Sequence, residues 1–348
     1  MDHLKPHKEF YGIPFMTDKF NDMPYVQLGK SGLRVSKVGL GTWKYGYPET
    51  NDGSRVDEKE AFKIFDRAIE LGVTHWDTAN RYNDSSGNSE RVIGKWLKAN
   101  PDQRRNVVVA TKIFGGMDGV TPNHCRSSRG NVLDSTYACM ARMQLDYIDL
   151  LYFHHYDATC PVEESLAAIE DLVQRDLIRY FAVSNFTVDQ LRLYKAVSKS
   201  MSIRTRMVAV QNQYDIVNKE LNQPGVLDFC AKSGVSYVAF SPLARGFLTN
   251  RYLDKSKVGA GDRLFDEGTL DKDMTEAKMK VLQGLGALAK SWDMEVNQLA
   301  LAYMMTLPGM GSVIPAASRV EQLESNAKVG TISFTDEQLL KIKSVLNG

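Results

Sequence analysis

Val107-Val108-Val109-Ala110-Thr111-Lys112 decides the reading of the fold. Four apolar residues and a β-branched threonine follow one another without interruption, and the run then stops at a lysine. A strand exposed on one face alternates polar and apolar residues. An unbroken run belongs to a strand covered on both faces, as in a parallel sheet flanked by helices. The lysine is as informative as the run, because an ammonium at the end of a buried strand needs a partner.

The same unit recurs on both sides. Upstream, a helix begins after Asp57, with Ala61, Phe65, Ala68 and Ile69 on one face and Glu60, Lys63, Asp66 and Arg67 elsewhere. Gly72 ends it, Val73 to Asp77 follows as a strand, and Ser89 to Leu97 is the next helix. Downstream, the pattern predicts helix over Val132 to Met143 and strand over Ile148 to Phe153. Helix follows over Val162 to Leu177, opened by Pro161, then strand over Arg179 to Ser184. The alternation continues with helix over Val188 to Val197, strand over Val208 to Gln213, helix over Val226 to Lys232 closed by Gly234, and strand over Val235 to Phe240. With Val35 to Leu40 in front and Ser312 to Ile314 near the end, about eight strands alternate with helices. That is the count of an α/β fold of the (β/α)8 TIM-barrel type.

Tyr25 to Val38 carries Gly29-Lys30-Ser31-Gly32 between strand-like runs and reads as a β-hairpin ahead of the barrel. Residues 1–24 are read as an N-terminal extension and 25–348 as a single barrel domain, with long loops on its C-terminal face. The rival architecture, an open doubly wound sheet, wants G-x-G-x-x-G in its first strand-to-helix turn. The nearest match is Gly39-Leu40-Gly41-Thr42-Trp43-Lys44, which ends in a bulky Trp-Lys pair that prevents close backbone approach.

The 348 residues carry 43 Lys and Arg against 42 Asp and Glu, a net charge of +1, so no electrostatic case exists for nucleic acid or an anionic membrane surface. No apolar run reaches the roughly 18 residues of a spanning helix. Met1 to Met23 is polar and aromatic and does not read as a signal peptide. Cys125, Cys139, Cys160 and Cys230 show no CxxC spacing and suit a reducing compartment, so a cytoplasmic location is expected. His154-His155 is not a zinc pattern, and no metal is expected.

Catalytic groups of a parallel barrel sit at the C-terminal ends of its strands. Asp77 ends the second strand and Tyr82 follows in its loop, Lys112 ends the third, His154 the fourth and Ser184-Asn185 the fifth, while Gln211 lies late in the sixth. Taken singly, an Asp after a strand caps a helix, a loop Tyr packs, and a His sits in a core. Four such groups at one mouth share a chemistry. A phenol has a pKa near 10, and a nearby ammonium favours the phenolate and lowers that value. A carboxylate holds the lysine charged, and an imidazole positions a carbonyl oxygen beside the phenol. The set polarises a carbonyl and protonates the alkoxide formed when hydride arrives. None of the four supplies hydride, which implies a nicotinamide cofactor.

These motifs together resemble the aldo-keto reductases, from about Val26 to the C-terminus. They are Gly39-Leu40-Gly41-Thr42-Trp43, Asp77-Thr78-Ala79-x-x-Tyr82, Thr111-Lys112, Tyr147-Ile148-Asp149-Leu150 leading to His154, Val183-Ser184-Asn185-Phe186 and Ser241-Pro242-Leu243. The similarity is to the bacterial-type branch that includes the potassium-channel β subunits. The resemblance implies Asp77, Tyr82, Lys112 and His154 as a catalytic tetrad. It implies Ser184, Asn185 and Gln211 on the nicotinamide carboxamide, Phe240 stacked on its ring, and Ser241 and Leu243 along the pyrophosphate. Gly41, Thr42, Trp43 and Asp77 are also assigned to the cofactor, with Ser318, Arg319, Gln322 and Asn326 around its adenosine end. Asn80 and Arg81 depart from the family pattern, as does Ser325, where relatives are often acidic.

The expected function is reduction of an aldehyde or ketone, a sugar or small hydroxy-carbonyl included, to an alcohol. A slow or non-catalytic regulatory subunit, like the channel β subunits, is the alternative, and a metal-dependent hydrolase is disfavoured by the missing ligand clusters. NADPH is expected over NADH, because Ser318 and Arg319 can donate to a 2′-phosphate where a helix opens, although Glu321 favours NADH. Trp43, Tyr45, Phe114, His155 and Tyr156 are the candidate substrate pocket, with the loop Ala244 to Thr275 above it. The basic cluster Arg126 to Arg129 also falls near the expected mouth.

Overall fold

A computed structural model describes residues 15–347. Its strands are β1 (Lys19–Phe20), β2 (Met23–Gln27), β3 (Arg34–Ser36), β4 (Leu40–Gly41), β5 (His75–Asp77), β6 (Val108–Ile113), β7 (Ile148–Phe153), β8 (Ile178–Ser184), β9 (Met207–Gln213), β10 (Ser236–Phe240) and β11 (Met310–Ile314). β4 to β11 form one eight-stranded sheet in sequence order, parallel throughout. Bridges from Val38 to Val313 and from Gly41 to Ala316 close it on itself, so the fold is a (β/α)8 TIM barrel.

The two glycines of the failed dinucleotide motif serve this closure. A Cβ on Gly39 would lie 2.7 Å from the His75 carbonyl oxygen and 2.8 Å from Ile314, so only glycine fits where the first and last strands meet. The Gly39 amide donates to the Val313 carbonyl at 2.8 Å and the Gly41 amide to that of Pro315 at 3.0 Å.

The hairpin forms as β2 and β3, and β1 adds a third antiparallel strand. That sheet therefore takes in residues the sequence assigned to the extension, while residues 1–14 of the extension lie outside the described residues. The sequence also read Val35 to Leu40 as one barrel strand, and the structure divides it. Ser36 turns its hydroxyl to the backbone amides of Thr74 and His75, at 3.2 and 3.1 Å, so Val35 stays with the hairpin and the barrel strand starts at Leu40. The hairpin turn plugs the closed end of the barrel. Leu28 and Val35 pack with Ala110, Leu150, Tyr152, Ala182 and Val238, the inward-facing side chains of the strands.

The second core lies between barrel and helices. The helix Glu58–Glu70 starts at Asp57, whose carboxylate accepts from the Glu60 amide at 2.8 Å. It buries Ala61, Ile64, Phe65 and Ala68 in a stripe against Trp76 and Trp96, with Ile69 only half-buried at its edge. The helix begun at Pro161 ends at Gln174, earlier than the pattern suggested. Asp176 takes a left-handed conformation (φ 58°) and turns the chain into β8. Between β10 and β11 stand two longer helices the sequence reading did not name, Glu276–Ser291 and Val296–Met304, and Asp336–Asn347 closes the chain against the first of them. No helix among the described residues is long and apolar enough to cross a membrane.

Candidate active site

A cavity of about 1030 Å³ opens at the C-terminal ends of the strands, where the open end of a parallel barrel places its loops. Asp77, the last residue of β5, and Lys112, in β6, are 2% and 1% exposed. Lys112 Nζ donates to Asp77 Oδ2 at 2.6 Å, to the Thr78 carbonyl at 2.8 Å and to the Tyr82 hydroxyl at 2.8 Å. All three donors of the ammonium are thereby used, which is what makes its burial affordable. Gln211 Nε2 donates to the other oxygen of Asp77 at 2.7 Å. The Tyr82 hydroxyl reaches Asp77 Oδ2 only at 3.3 Å, a long bond that leaves its proton able to turn into the cavity.

The His154 ring lies edge-on to the Tyr82 ring, 6.2 Å between centroids, and stacks on His155 at 5.1 Å. Asn185 Nδ2 donates to the His154 carbonyl at 3.0 Å and fixes this strand end from the next. Ser184 donates to the Gln211 carbonyl at 2.8 Å. Burial, reinforced by the charges of Lys112, His155 and Arg81, holds the His154 imidazole well below its usual pKa, so it is neutral. Burial also draws the Lys112 ammonium down, opposed by Asp77 and Glu90.

For Tyr82 the structure corrects the sequence reading. Burial first, then the Asp77 carboxylate, push the phenol well above 10 instead of below it. Lys112 cannot reverse this, because its charge is already matched by Asp77. The phenol is kept protonated, with an ammonium beside it for the moment its proton leaves.

The remaining predicted residues divide into two groups. Gly41, Trp43, Tyr45, Ser184, Asn185, Gln211, Phe240, Ser241, Leu243, Ser318, Arg319, Gln322 and Asn326 all line the cavity with Asp77, Tyr82 and His154. Thr42 is buried behind it, its hydroxyl on the Asp77 carbonyl at 2.9 Å. Tyr45 is 1% exposed, and its hydroxyl donates to the Ala317 carbonyl, so it braces the wall. Phe114, His155 and Tyr156 do not line the cavity. Phe114 packs edge-on to His155, and Tyr156 packs edge-on to Phe186 and Tyr194. The Arg126–Arg129 segment is likewise absent from the lining, and Arg129 pairs with Asp171 at 2.5 Å.

Several lining residues had no local signal. The loop after β10 is folded, with short helices at Arg263–Asp266 and Leu270–Asp273, and its Arg263 guanidinium sits 4.5 Å over the Trp43 ring. Arg55 pairs with Asp266 at 3.0 Å and so pins the loop across the mouth, while Arg251 pairs with Asp262 at 3.0 Å within the loop itself. At the far end Asn297 donates to Ser325 and Asn326, and Ser325 donates to Glu295. The hydroxyl at Ser325 is thus coupled to an acid supplied by another loop. The polar ledge of Ser184, Asn185 and Gln211 at one end and the Ser318 to Asn326 helix start at the other give a donor set suited to a dinucleotide.

Comparisons with known proteins bear on the family and the fold. The model of the Aldo/keto reductase family matches residues 37–347. The chain is 30% identical to L-glyceraldehyde 3-phosphate reductase of Escherichia coli (strain K12), over 93% of each chain. It is 28% identical to a probable voltage-gated potassium channel subunit beta of Oryza sativa subsp. japonica, over 93% of this chain and 97% of that one. Among solved structures, the thermostable aldo-keto reductase Tm1743 in complex with the inhibitor epalrestat superimposes with a TM-score of 0.71 at 30% identity, covering 93% of this chain and 100% of that one. With a barrel closed through Gly39 and Gly41, an ammonium held between Asp77 and Tyr82, and a family match over nearly the whole length, the chain belongs to the aldo/keto reductase family.

Proposed function

We propose that the protein reduces an aldehyde or ketone to an alcohol with NADPH, using Tyr82 as the proton donor. The family uses nicotinamide cofactors and its members are oxidoreductases. The observation that carries the finer reading is Lys112 Nζ, which bridges Asp77 and the Tyr82 hydroxyl at 2.6 and 2.8 Å, directly behind the two as they line the cavity. Ser184, Asn185, Gln211 and Phe240 line the cavity where they would hold a nicotinamide, and that cofactor would supply the hydride.

The residues of this chain do the rest. Neutral His154 donates to the carbonyl oxygen and holds it near Tyr82. As hydride adds to the carbonyl carbon, the Tyr82 O–H bond breaks and its proton passes to the oxygen, which leaves the alcohol. Lys112 stabilises the phenolate formed, and solvent reprotonates it. Asp77 keeps the ammonium charged and aimed.

NADPH is favoured by Ser318 and Arg319, which meet the cavity where the helix Val320–Ala327 begins. One relative is an L-glyceraldehyde 3-phosphate reductase, so a small phosphorylated aldehyde is a suitable first assay. Tyr82→Phe keeps the ring and removes the proton. It is expected to lower kcat by about a thousandfold while the NADPH dissociation constant stays within about twofold. Retention of most of the wild-type kcat would reject Tyr82 as the acid.

A further inference from the structure

Cations gather on the side of the cavity nearest Tyr82. Trp43 stands 6.4 Å from the Tyr82 ring, and its own ring carries two of them, Lys44 Nζ and the Arg263 guanidinium, each 4.5 Å from its centroid. Arg55 and Arg81 line the same region. Like charges brought this close repel unless something negative shares the space. Burial together with the charges of Arg55 and Arg263 draws the Lys44 ammonium below its usual pKa, against smaller opposing pulls from Asp84 and Glu267.

The carboxylates that answer these cations are unevenly placed. Arg55 has Asp266 at 3.0 Å and Arg263 has Glu267 at 2.7 Å, but Glu267 is shared with Arg245, and neither acid lines the cavity. Among the described residues no carboxylate lies within ion-pair distance of Lys44 or Arg81. Their hydrogen bonds go to the carbonyls of Gly53 at 3.0 Å and Gly116 at 2.6 Å. Two acids that do line the cavity here, Asp77 and Asp262, are already held by Lys112 at 2.6 Å and by Arg251 at 3.0 Å.

We infer that the cavity selects a carbonyl compound bearing an anionic group, phosphate or carboxylate, which Lys44 and Arg263 hold beside Trp43 while the carbonyl reaches Tyr82 and His154. This inference rests on the reductase reading above and names its substrate class. Arg81, next to Tyr82 in sequence, adds positive potential on the His154 side. A neutral carbonyl leaves the cluster facing itself, whereas an anion gains charge-assisted hydrogen bonds from it. Lys44 and Arg263 come from different loops, after β4 and after β10, so the clamp forms only when the long loop lies across the mouth.

The test pairs each charged carbonyl with a neutral one of the same shape: glyceraldehyde 3-phosphate with glyceraldehyde, and 2-carboxybenzaldehyde with benzaldehyde. At low salt the wild type is expected to favour at least one charged member by about tenfold or more in kcat/KM, and the pair that shows it separates phosphate from carboxylate. Lys44→Met and Arg263→Met, the latter leaving Glu267 with Arg245, should each cut that charged-to-neutral ratio by about five- to tenfold, and 0.5 M salt should shrink it. Equal kcat/KM across both pairs would overturn the inference. So would a loss of NADPH affinity in the variants equal to the loss on the charged substrate, since the cations would then belong to the cofactor. Calorimetric titration of glycerol 3-phosphate and of 2-carboxybenzyl alcohol into the NADP⁺-loaded protein separates the two levels. Binding without turnover of any carbonyl keeps the anion site and sinks the reductase reading. Turnover of neutral carbonyls with no binding of either anion does the reverse.

Discussion

At one end of the cavity Asp77 and Lys112 are 2% and 1% exposed and share bonds with Thr78, Tyr82 and Gln211; at the other Arg319 is 68% exposed and reaches Glu321 only at 4.0 Å. The first set hangs from the ends of β5 and β6, whose pairing fixes the side chains before any ligand arrives. The second hangs from the turn after β11 and the first residues of a helix, where the Arg319 side chain stands mostly in solvent. On the proposed mechanism, the difference separates chemistry from recognition. Groups that must hold a proton at a stated atom are built into the barrel, and groups that must discriminate between ligands stand at its rim, where a substitution costs little stability.

The most direct way to break this contrast is to take the charge from the buried pair. Asp77→Asn keeps the shape and strands the Lys112 ammonium, which is expected to cost about 3–5 kcal/mol at pH 7. Burial already lowers the pKa of Lys112, so a lysine without its counter-charge sheds its proton as pH rises. With the folded value below the unfolded one, the penalty should therefore be largest at neutral pH and shrink toward pH 10. Urea midpoints of wild type and variant at both pH values check this. A penalty unchanged between them would mean lost packing instead of lost charge. Gln322→Ala at the exposed rim should stay within about 0.5 kcal/mol at either pH.

A somewhat smaller effect sharpens the same point at the closed end of the barrel. His75 is fully buried in β5, its Nδ1 at 3.3 Å from the Ser312 hydroxyl, and burial pushes its pKa down to about 4. The unfolded chain titrates near 6.5 and so binds the extra proton between about pH 6.5 and 4. Stability should then fall by about 3 kcal/mol as pH drops through that window and be fully present above it. His75→Leu leaves Ser312 donating to the Ser36 and Lys37 carbonyls and should flatten this acid limb in pH-dependent urea unfolding. An acid limb as steep in the variant as in the wild type would place the titration elsewhere.

What could be read from the sequence follows the same division. Asp77, Lys112, His154, Ser184 and Gln211 were legible because each falls at or near the end of an apolar run, and the barrel brings such ends together whatever the loops do. Lys44, Arg55 and Arg263 were not, because they meet only when a loop after β10 folds back over the loop after β4, and local spacing carries no trace of that. Phe114, His155 and Tyr156 misled for the converse reason. Aromatic residues just past a strand end look like pocket walls, but these pack on one another or under a helix. The helix Val296–Met304 escaped because all nine of its residues are buried, which leaves no amphipathic period to detect. The phenol's direction of shift was misjudged because sequence shows the neighbouring charges but not the burial that raises the phenol, nor that Asp77 lies close enough to add to it.

The smallest effect concerns the rim itself and the choice of NADPH over NADH. Ser318, Arg319, Glu321 and Gln322 line the cavity at the end proposed for the adenosine. Gln322 Oε1 accepts from the Ser318 amide at 2.7 Å, which sets the turn that leads into the helix Val320–Ala327. The 2′-phosphate arriving there would meet the Arg319 guanidinium and the amides of the helix start, both favourable to an anion. Glu321 opposes it, standing in the first turn and 78% exposed. Because Arg319 is itself mostly exposed and only loosely engaged by Glu321, its contribution is that of a surface charge, about 1 kcal/mol. Arg319→Ala is therefore expected to weaken NADPH by about fivefold and leave NADH within about twofold, while Glu321→Gln strengthens NADPH by a smaller factor. Fluorescence titration of both cofactors with the three proteins measures this. Tighter NADH than NADPH in the wild type would reverse the preference. An unchanged NADPH constant in Arg319→Ala would move the selection to the helix amides and Ser318, and would show that even at the rim the backbone does more than the side chain.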